Sequence, residues 1–171
     1  MSTAWSESVD YHLWFTDWVG QFGPIVFLDD GVNFSQDLYV GGAIDVDKRN
    51  SGDPDTITWA ILRLDENYQM IKGWQLDGTN YQSGDDQYGY IDFMEYDVST
   101  EMMYGTTKSY KTSTPGLRDH FFRIGFLPSS PKDLDLTSLK VRRQQGLNDD
   151  IETVGMMAKD GKIHLSVKVR G

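Results

Sequence analysis

An internal repeat of about 62 residues constrains the fold of this chain more than any other feature of its sequence. Residues 37–42 align with residues 101–106, 64 positions later, and residues 162–167 form a weaker third copy 61 positions after that. Residues 59–64 and 121–127 follow the first two copies and lie 62 positions apart. Repeats of roughly 40 to 60 residues are typical of architectures in which each unit buries its faces against its neighbours.

Short runs of β-branched and aromatic residues, separated by turn signals, predict that each repeat is made of strands. Residues 59–64 alternate and end at an Asp-Glu-Asn turn, which leads into a second run at 70–76. Helical patterning is nearly absent, and we interpret residues 11–19 as a strand as well. With 13% aromatic residues and 17 glycines, the composition agrees with β-structure and frequent tight turns. The predicted fold class is therefore all-β, with antiparallel four-stranded units.

The repeat divides the chain into four segments. Residues 1–24 are predicted to hold an outer strand of a preceding unit, 25–86 the first unit, 87–148 the second, and 149–171 part of a third. An alternative all-β fold remains open at this stage, namely a single β-sandwich or β-barrel of about ten strands in which the repeat is partly accidental.

The first unit resembles a blade of the β-propellers found in large surface proteins with degenerate repeats. Residues 38–45 and 60–74 carry this resemblance: a strand containing Gly-Gly, a strand ending in Leu-Asp, a turn, and a strand containing Trp74. The second unit departs from the pattern, since Leu127 and Pro128 replace the Leu-Asp pair. The resemblance covers about three quarters of the chain. It implies propeller-like blades and display outside the cell or on the cell surface.

The charge of the chain is divided unevenly. Residues 1–100 hold 18 acidic and 4 basic residues, a net charge of −14, whereas residues 101–171 hold 8 acidic and 12 basic residues, a net charge of +4. Such halves attract each other between copies or between neighbouring domains, although clustering on a solvated surface is the simpler explanation. The net charge of −10 argues against nucleic acid as a partner. Other protein chains or copies of itself are the expected partners.

The compartment is only partly constrained by the sequence. There is no cysteine, which excludes disulfides and thiolate metal sites and suits a cytosolic protein as well as an exported one. No run approaches the roughly 18 apolar residues of a membrane helix, so no membrane insertion is expected. An extracellular or cell-surface location is expected from the propeller resemblance, with the cytoplasm as the alternative.

An Asp-rich loop is the sharpest local candidate for a site. Calcium binds six to eight oxygen ligands, and alternating carboxylates in a glycine-containing loop supply them. The spacing is not that of an EF-hand, and Lys48 and Arg49 lie inside the loop. A solvated hairpin loop therefore explains the same residues. The candidate calcium ligands are Asp45, Asp47, Asn50, Asp53 and Asp55.

A second candidate site is a loop rich in tyrosine and aspartate, suited to binding glycans. Exposed aromatic rings stack on sugars, while carboxylates bind hydroxyl groups. The ligand-binding candidates are Tyr81, Tyr88, Tyr90, Asp85 and Asp86. Trp59 and Trp74 lie in predicted strands, where core packing is the expected role.

No catalytic motif is present in the sequence, and the three histidines are far apart. An enzyme is therefore not expected. The sequence favours a non-enzymatic structural or interaction module that contributes to an assembly or a displayed surface. The alternative is a lectin-like carbohydrate-binding module, assisted by calcium if the Asp-rich loop binds it.

Overall fold

The structure, a computed structural model, describes residues 21–28, 37–45, 57–76, 88–110, 117–143 and 151–169. These residues form antiparallel strands and tight turns, and no helix occurs among them, so the all-β prediction is confirmed. The ten strands are β1 (Gln21–Leu28), β2 (Asp37–Asp45), β3 (Ile57–Leu64), β4 (Met70–Leu76), β5 (Tyr88–Asp97), β6 (Met102–Tyr110), β7 (Leu117–Leu127), β8 (Ser130–Arg143), β9 (Ile151–Lys159) and β10 (Lys162–Val169).

Each strand pairs with its neighbour in sequence. Strands β1 to β4 form one four-stranded antiparallel sheet, here called sheet 1, and β5 to β8 form a second, sheet 2. Strands β9 and β10 form a separate antiparallel pair, the C-terminal hairpin. The predicted strand at 70–76 coincides with β4, and the predicted strands at 59–64 and 121–127 lie within β3 and β7. The predicted strand at 11–19 lies outside the described residues.

The first strand of each layer carries an irregularity at the same place. The pairing shifts between Phe22 and Ile25 in β1 and between Ile91 and Phe93 in β5, and Val154 is skipped in β9. In each case the shift lies about five residues before the end of the strand. A β-bulge adds a residue to one strand and increases its local twist. The shared bulge therefore places the three layers in one common register.

This register differs by one residue from the register that the sequence suggests. The sequence aligns Asp37 with Glu101, because this matches Gly41 with Gly105. In the structure Asp37 and Met102 are equivalent, since each opens its second strand opposite the last residue of the first. The shift makes Tyr39 and Tyr104 equivalent, and both side chains are buried.

Sheets 1 and 2 pack face to face around one hydrophobic core, and the hairpin packs on the opposite side of sheet 2. We call the side of a layer that faces the following layer its forward face, and the other side its backward face. Trp59 and Trp74 belong to the shared core, as their strand positions predict. The buried core residues are Val26, Leu28, Tyr39, Trp59, Ile61, Trp74 and Leu76 from sheet 1, and Ile91, Met94, Met103, Phe122, Ile124, Leu134 and Val141 from sheet 2.

The first strands of the two sheets approach each other closely at Gly23. A Cβ atom added to Gly23 would lie 2.1 Å from the carbonyl oxygen of Ile91, a distance that no side chain tolerates. Glycine is therefore required where β5 lies against β1. The close approach fixes the position of sheet 2 on sheet 1.

Candidate functional site: the junctions between layers

The junction between sheets 1 and 2, which we call the sheet junction, is aromatic at its centre. Tyr39 stacks on Trp74 with ring centroids 6.3 Å apart and meets the edge of Phe126 at 5.8 Å. Trp59 of sheet 1 contacts His120 of sheet 2 at 5.4 Å between ring centroids. Large rings bury much apolar surface, so this contact supplies a main part of the force that holds the sheets together.

A network of charged side chains closes one end of the sheet junction. Arg63 lies 3.0 Å from Asp37 and 3.5 Å from Asp133, and thus joins a carboxylate of sheet 1 to one of sheet 2. Lys132 lies 3.0 Å from Asp37, and Lys72 lies 2.8 Å from Asp133. The Asp37 side chain is only 5% exposed. A buried carboxylate with two cationic partners locks the geometry of the two sheets, because losing either partner leaves charge without compensation.

Two titratable groups show the effect of this environment. The hydrogen bond from Lys72 lowers the pKa of Asp133, and Ser130, Lys72 and Arg63 add to this against a smaller effect of burial. Burial raises the pKa of the Tyr39 hydroxyl, which donates a 2.7 Å hydrogen bond to the Lys132 carbonyl oxygen. Tyr39 therefore remains a neutral donor, and it links β2 directly to the backbone of β8.

We call the contact between sheet 2 and the hairpin the hairpin junction. It is held by carboxylates that accept backbone N–H groups rather than by stacked aromatic rings. Glu95 accepts a 2.6 Å hydrogen bond from the backbone N–H of Ala158, and Asp97 accepts one of 2.6 Å from that of Gly161. Asp160 and Gly161 form the β9–β10 turn with φ values of 51° and 72°. Two positive φ angles are typical of a type I′ turn, for which Asp-Gly is a preferred sequence. The turn geometry presents the Gly161 N–H to Asp97.

Hydrogen bonds within its own turn hold the Asp97 carboxylate in place, independently of the hairpin. Its Oδ1 atom accepts hydrogen bonds from the Ser99 backbone N–H at 2.9 Å and from the Ser99 hydroxyl at 2.8 Å. Its Oδ2 atom is left to accept from Gly161. The Gly161 bond, with those from Ser99 and Thr100, lowers the pKa of Asp97 to about 2, although burial opposes this. The ionised carboxylate is therefore the form that holds the hairpin.

Both outer faces of the stack carry exposed apolar side chains among the described residues. On the backward face of sheet 1, Ile25 is 65% and Phe27 is 54% exposed, while Val40, Leu62 and Leu64 on the same face are buried. On the forward face of the hairpin, Met157 is 49% exposed. The same face exposes the polar or charged side chains of Lys159, Lys162, His164, Ser166 and Lys168. At the bulge of β9, Val154 is a further apolar side chain and is 50% exposed.

The candidate glycan-binding residues lie mostly outside the described residues. Tyr81, Asp85 and Asp86 fall in the gap between 76 and 88. Tyr88 and Tyr90 open β5, paired with Tyr110 and Lys108 of β6, so the predicted loop ends in a strand. Glycan binding stays a prediction.

The candidate calcium loop is described only at its start. Asp45 is the last residue of β2 and pairs with Ile57 of β3. The remaining candidates, Asp47, Asn50, Asp53 and Asp55, lie outside the described residues. Among the residues that the structure describes, no group of three or more His, Asp or Glu side chains is arranged to hold a metal ion. Calcium binding therefore also stays a prediction.

The junction carboxylates were not singled out by the sequence reasoning. Asp97 carries a usable signal, because Asp-Val-Ser-Thr between two strands is typical of an Asx-type turn that fixes the carboxylate. Asp37 and Glu95 carry no comparable signal. Their partners lie 26 and 63 residues away, and such contacts follow only from the packing of layers.

No family model matches the chain, and no curated protein or solved structure does either. Within the described residues, no helix is long and apolar enough to cross a membrane. The junctions between the layers, and the surfaces that they leave exposed, are therefore the features that bear on its function.

Proposed function

We propose that the chain is a non-enzymatic structural module built from propeller-like blades, which contributes to an assembly or a displayed surface. The observation that carries the proposal is the placement of the hairpin, whose first strand β9 lies against β5 of sheet 2 as β5 lies against β1 of sheet 1. A β-sandwich has two sheets that enclose one core. A third layer on the far face of the second sheet supports a series of stacked units instead.

The register supports this interpretation residue by residue. Counted back from the end of the first strand, Phe27, Tyr96 and Ala158 are equivalent, and all belong to backward faces. Tyr96 packs into the shared core and Ala158 binds Glu95 of sheet 2. Equivalent positions therefore face the preceding layer in both junctions, as expected for blades arranged around the first strands.

The chemistry at the junctions suits a structural role. Asp37, Asp133 and Asp97 are held by cationic side chains, backbone N–H groups or hydroxyls. A catalytic carboxylate instead needs access to a substrate and a pKa matched to proton transfer. Holding layers in register is what these carboxylates are equipped to do. As in other repeat architectures, binding would then use the exposed ends of the stack.

A crystal structure of the full chain tests the proposal. We expect the rotation that carries sheet 1 onto sheet 2 to carry sheet 2 onto the hairpin as well, about one axis close to β1, β5 and β9. Two rotations about unrelated axes, or a hairpin placed at the edge of sheet 2, would contradict a blade-like arrangement. That result would favour the sandwich alternative.

A further inference from the structure

We infer that the forward face of the hairpin binds the backward side of β1 in a second copy of the chain, so that copies associate head to tail. The inference rests on the proposed blade-like stacking and names its partner. It is carried by three features of the described residues: the common register, the sign of the charges at equivalent positions, and the side chains that the stack leaves exposed.

The common register identifies the positions that contact each other between consecutive layers. In the hairpin junction, the backbone of Ala158 on the backward side of β9 contacts the side chain of Glu95 on the forward side of β5. The position equivalent to Ala158 in sheet 1 is Phe27, and the position equivalent to Glu95 in the hairpin is Met157. The same first-strand contact between two copies therefore brings Met157 of one copy to Phe27 of another, beside the part of the backward face where Val40, Leu62 and Leu64 are already buried.

Both of these side chains are apolar and about half exposed. Phe27 is 54% and Met157 is 49% exposed, and Ile25 beside Phe27 is 65% exposed. Met94, which is equivalent to Ile25, is only 4% exposed because sheet 1 covers it. Among the described side chains of sheet 1, the exposed large apolar ones lie on β1, on β4 and, with Tyr68, in the β3–β4 turn. First strands also take part in the two existing junctions, where β5 lies against β1, β2 and β3, and β9 lies mainly against β5.

The charges on the hairpin identify the partner as acidic. Asp97 ends the first strand of sheet 2, and Asp37 opens the second strand of sheet 1; both accept bonds from the following layer. In the hairpin these two positions are Lys159 and Lys162, with Asp160 between them in the turn. The signs are reversed, so the partner must present carboxylates rather than cations or N–H groups.

Sheet 1 offers carboxylates at the corresponding end. Asp65 and Glu66 lie in the β3–β4 turn, at the same end of sheet 1 as the last residues of β1 and β3, and Glu66 is exposed. Among the described residues, sheet 1 carries four acidic and two basic side chains, a net charge of −2, whereas the hairpin carries two acidic and three basic ones, a net charge of +1. Opposite charges on the two ends of one chain favour contact between unlike ends and oppose contact between like ends. Such head-to-tail contacts form rings or open filaments.

Disulfide trapping between copies tests this inference directly, since the natural chain has no cysteine. Phe27→Cys and Met157→Cys are made as two separate proteins and mixed under mild oxidation. A disulfide forms only when the two Cα atoms come within about 7 Å. We expect a cross-linked dimer in the mixture and at most a trace in either protein alone. Pairing of Thr137→Cys, an exposed site on β8, with Met157→Cys is the matched control and should give no such dimer.

Each other outcome contradicts the inference. Efficient cross-linking of Phe27→Cys with itself would show that β1 meets β1, and cross-linking of Met157→Cys with itself would show that two hairpins meet. Equal yields in the control and test mixtures would show random collision. No cross-link in any mixture would show that the copies do not associate through these faces.

A charge-reversal variant tests whether the lysines of the hairpin direct the contact between copies. Lys159→Glu together with Lys162→Glu, introduced into the Met157→Cys protein, should lower the yield of the mixed dimer about fivefold at low salt. The matched control Lys140→Glu changes an exposed lysine on β8 and should leave the yield unchanged. An unchanged yield in the double variant would overturn the charge-directed docking. The rotation between layers of one chain is measured separately, so the blade-like stacking and the head-to-tail contact can fail independently.

Discussion

The two junctions of the stack occupy equivalent positions but are held by different chemistry. The sheet junction buries aromatic and aliphatic side chains from both sheets and closes with a buried charge network around Asp37. The hairpin junction relies on Glu95 and Asp97, each accepting a backbone N–H of the hairpin. A common register therefore does not require a common set of contacts. Apolar burial contributes stability that does not depend on pH, whereas a contact that needs an ionised carboxylate is lost when the carboxylate is protonated.

The largest expected effect comes from removing a buried side chain at the sheet junction. Ile91 is fully buried, and its Cγ2 atom packs over Gly41 of sheet 1. Ile91→Ala should lower the free energy of unfolding by about 3 kcal/mol, through lost burial and a cavity. Ile71→Ala, at a site 47% exposed, is the control and should change it by less than about 0.5 kcal/mol. Urea denaturation measures both, and equal effects would contradict the assignment of the core.

An intermediate effect is expected from the charge network. Asp37→Asn keeps the shape of the side chain but removes the charge that faces Arg63 and Lys132, so it should cost about 2 kcal/mol. Lys72→Gln, whose side chain is 45% exposed, should cost less than about 1 kcal/mol. Thermal or urea unfolding compares them. If the Lys72 variant were the less stable one, the network would not depend on the buried Asp37.

We expect substitutions at the hairpin junction to have the smallest effect on the free energy of unfolding of the whole chain. This junction should also show the clearest dependence on pH. The pKa of Asp97 is lowered in the folded chain to about 2 from its ordinary value of 3.8. Its contribution to stability is therefore complete above about pH 4 and is lost as the pH falls through about 2. We expect the Gly161 amide resonance to titrate with a midpoint near pH 2.

Asp97→Asn tests the same contact at neutral pH. It should reduce the hydrogen-exchange protection of β9 and β10 while leaving sheet 1 unchanged, because the lost bond belongs to the hairpin alone. Asp135→Asn, at a carboxylate that accepts hydrogen bonds from Thr137 within β8, is the matched control and should leave the hairpin unchanged. Uniform loss of protection in the Asp97 variant would show that the two junctions unfold together.

The strands were predictable because their signals are local. Alternating residues and Asp-rich turns identify β3 and β4, and Asp-Gly identifies the hairpin turn. The exact register was not predictable, because matching Gly41 to Gly105 outweighed the match of the two tyrosines. These glycines have different neighbours: a Cβ at Gly41 would approach Ile91, whereas one at Gly105 would approach Phe122. The likeness of the two glycines is therefore not a sign of equivalent positions.

The candidate site was less predictable than the fold. Asp37, Arg63 and Asp133 become neighbours only when two sheets pack, and Arg63 is 70 residues from Asp133 in sequence. The uneven division of charge between the two halves is visible in the sequence. Only the structure shows that Lys159 and Lys162 pair at one end of the hairpin. Chemistry within a turn can be read from neighbouring residues, whereas chemistry between layers depends on how the layers face each other.

The order of the strands has a consequence for how the chain folds during synthesis. Within each described sheet, hydrogen-bonded neighbours are also neighbours in sequence. Sheet 1 therefore needs no residue beyond Leu76 to complete its backbone pairing, and it forms before β5 leaves the ribosome if pairing outpaces translation. Sheet 2 then condenses on a surface that already exists, and the hairpin joins last. In a growing chain of this kind, each completed layer provides the surface on which the next layer packs.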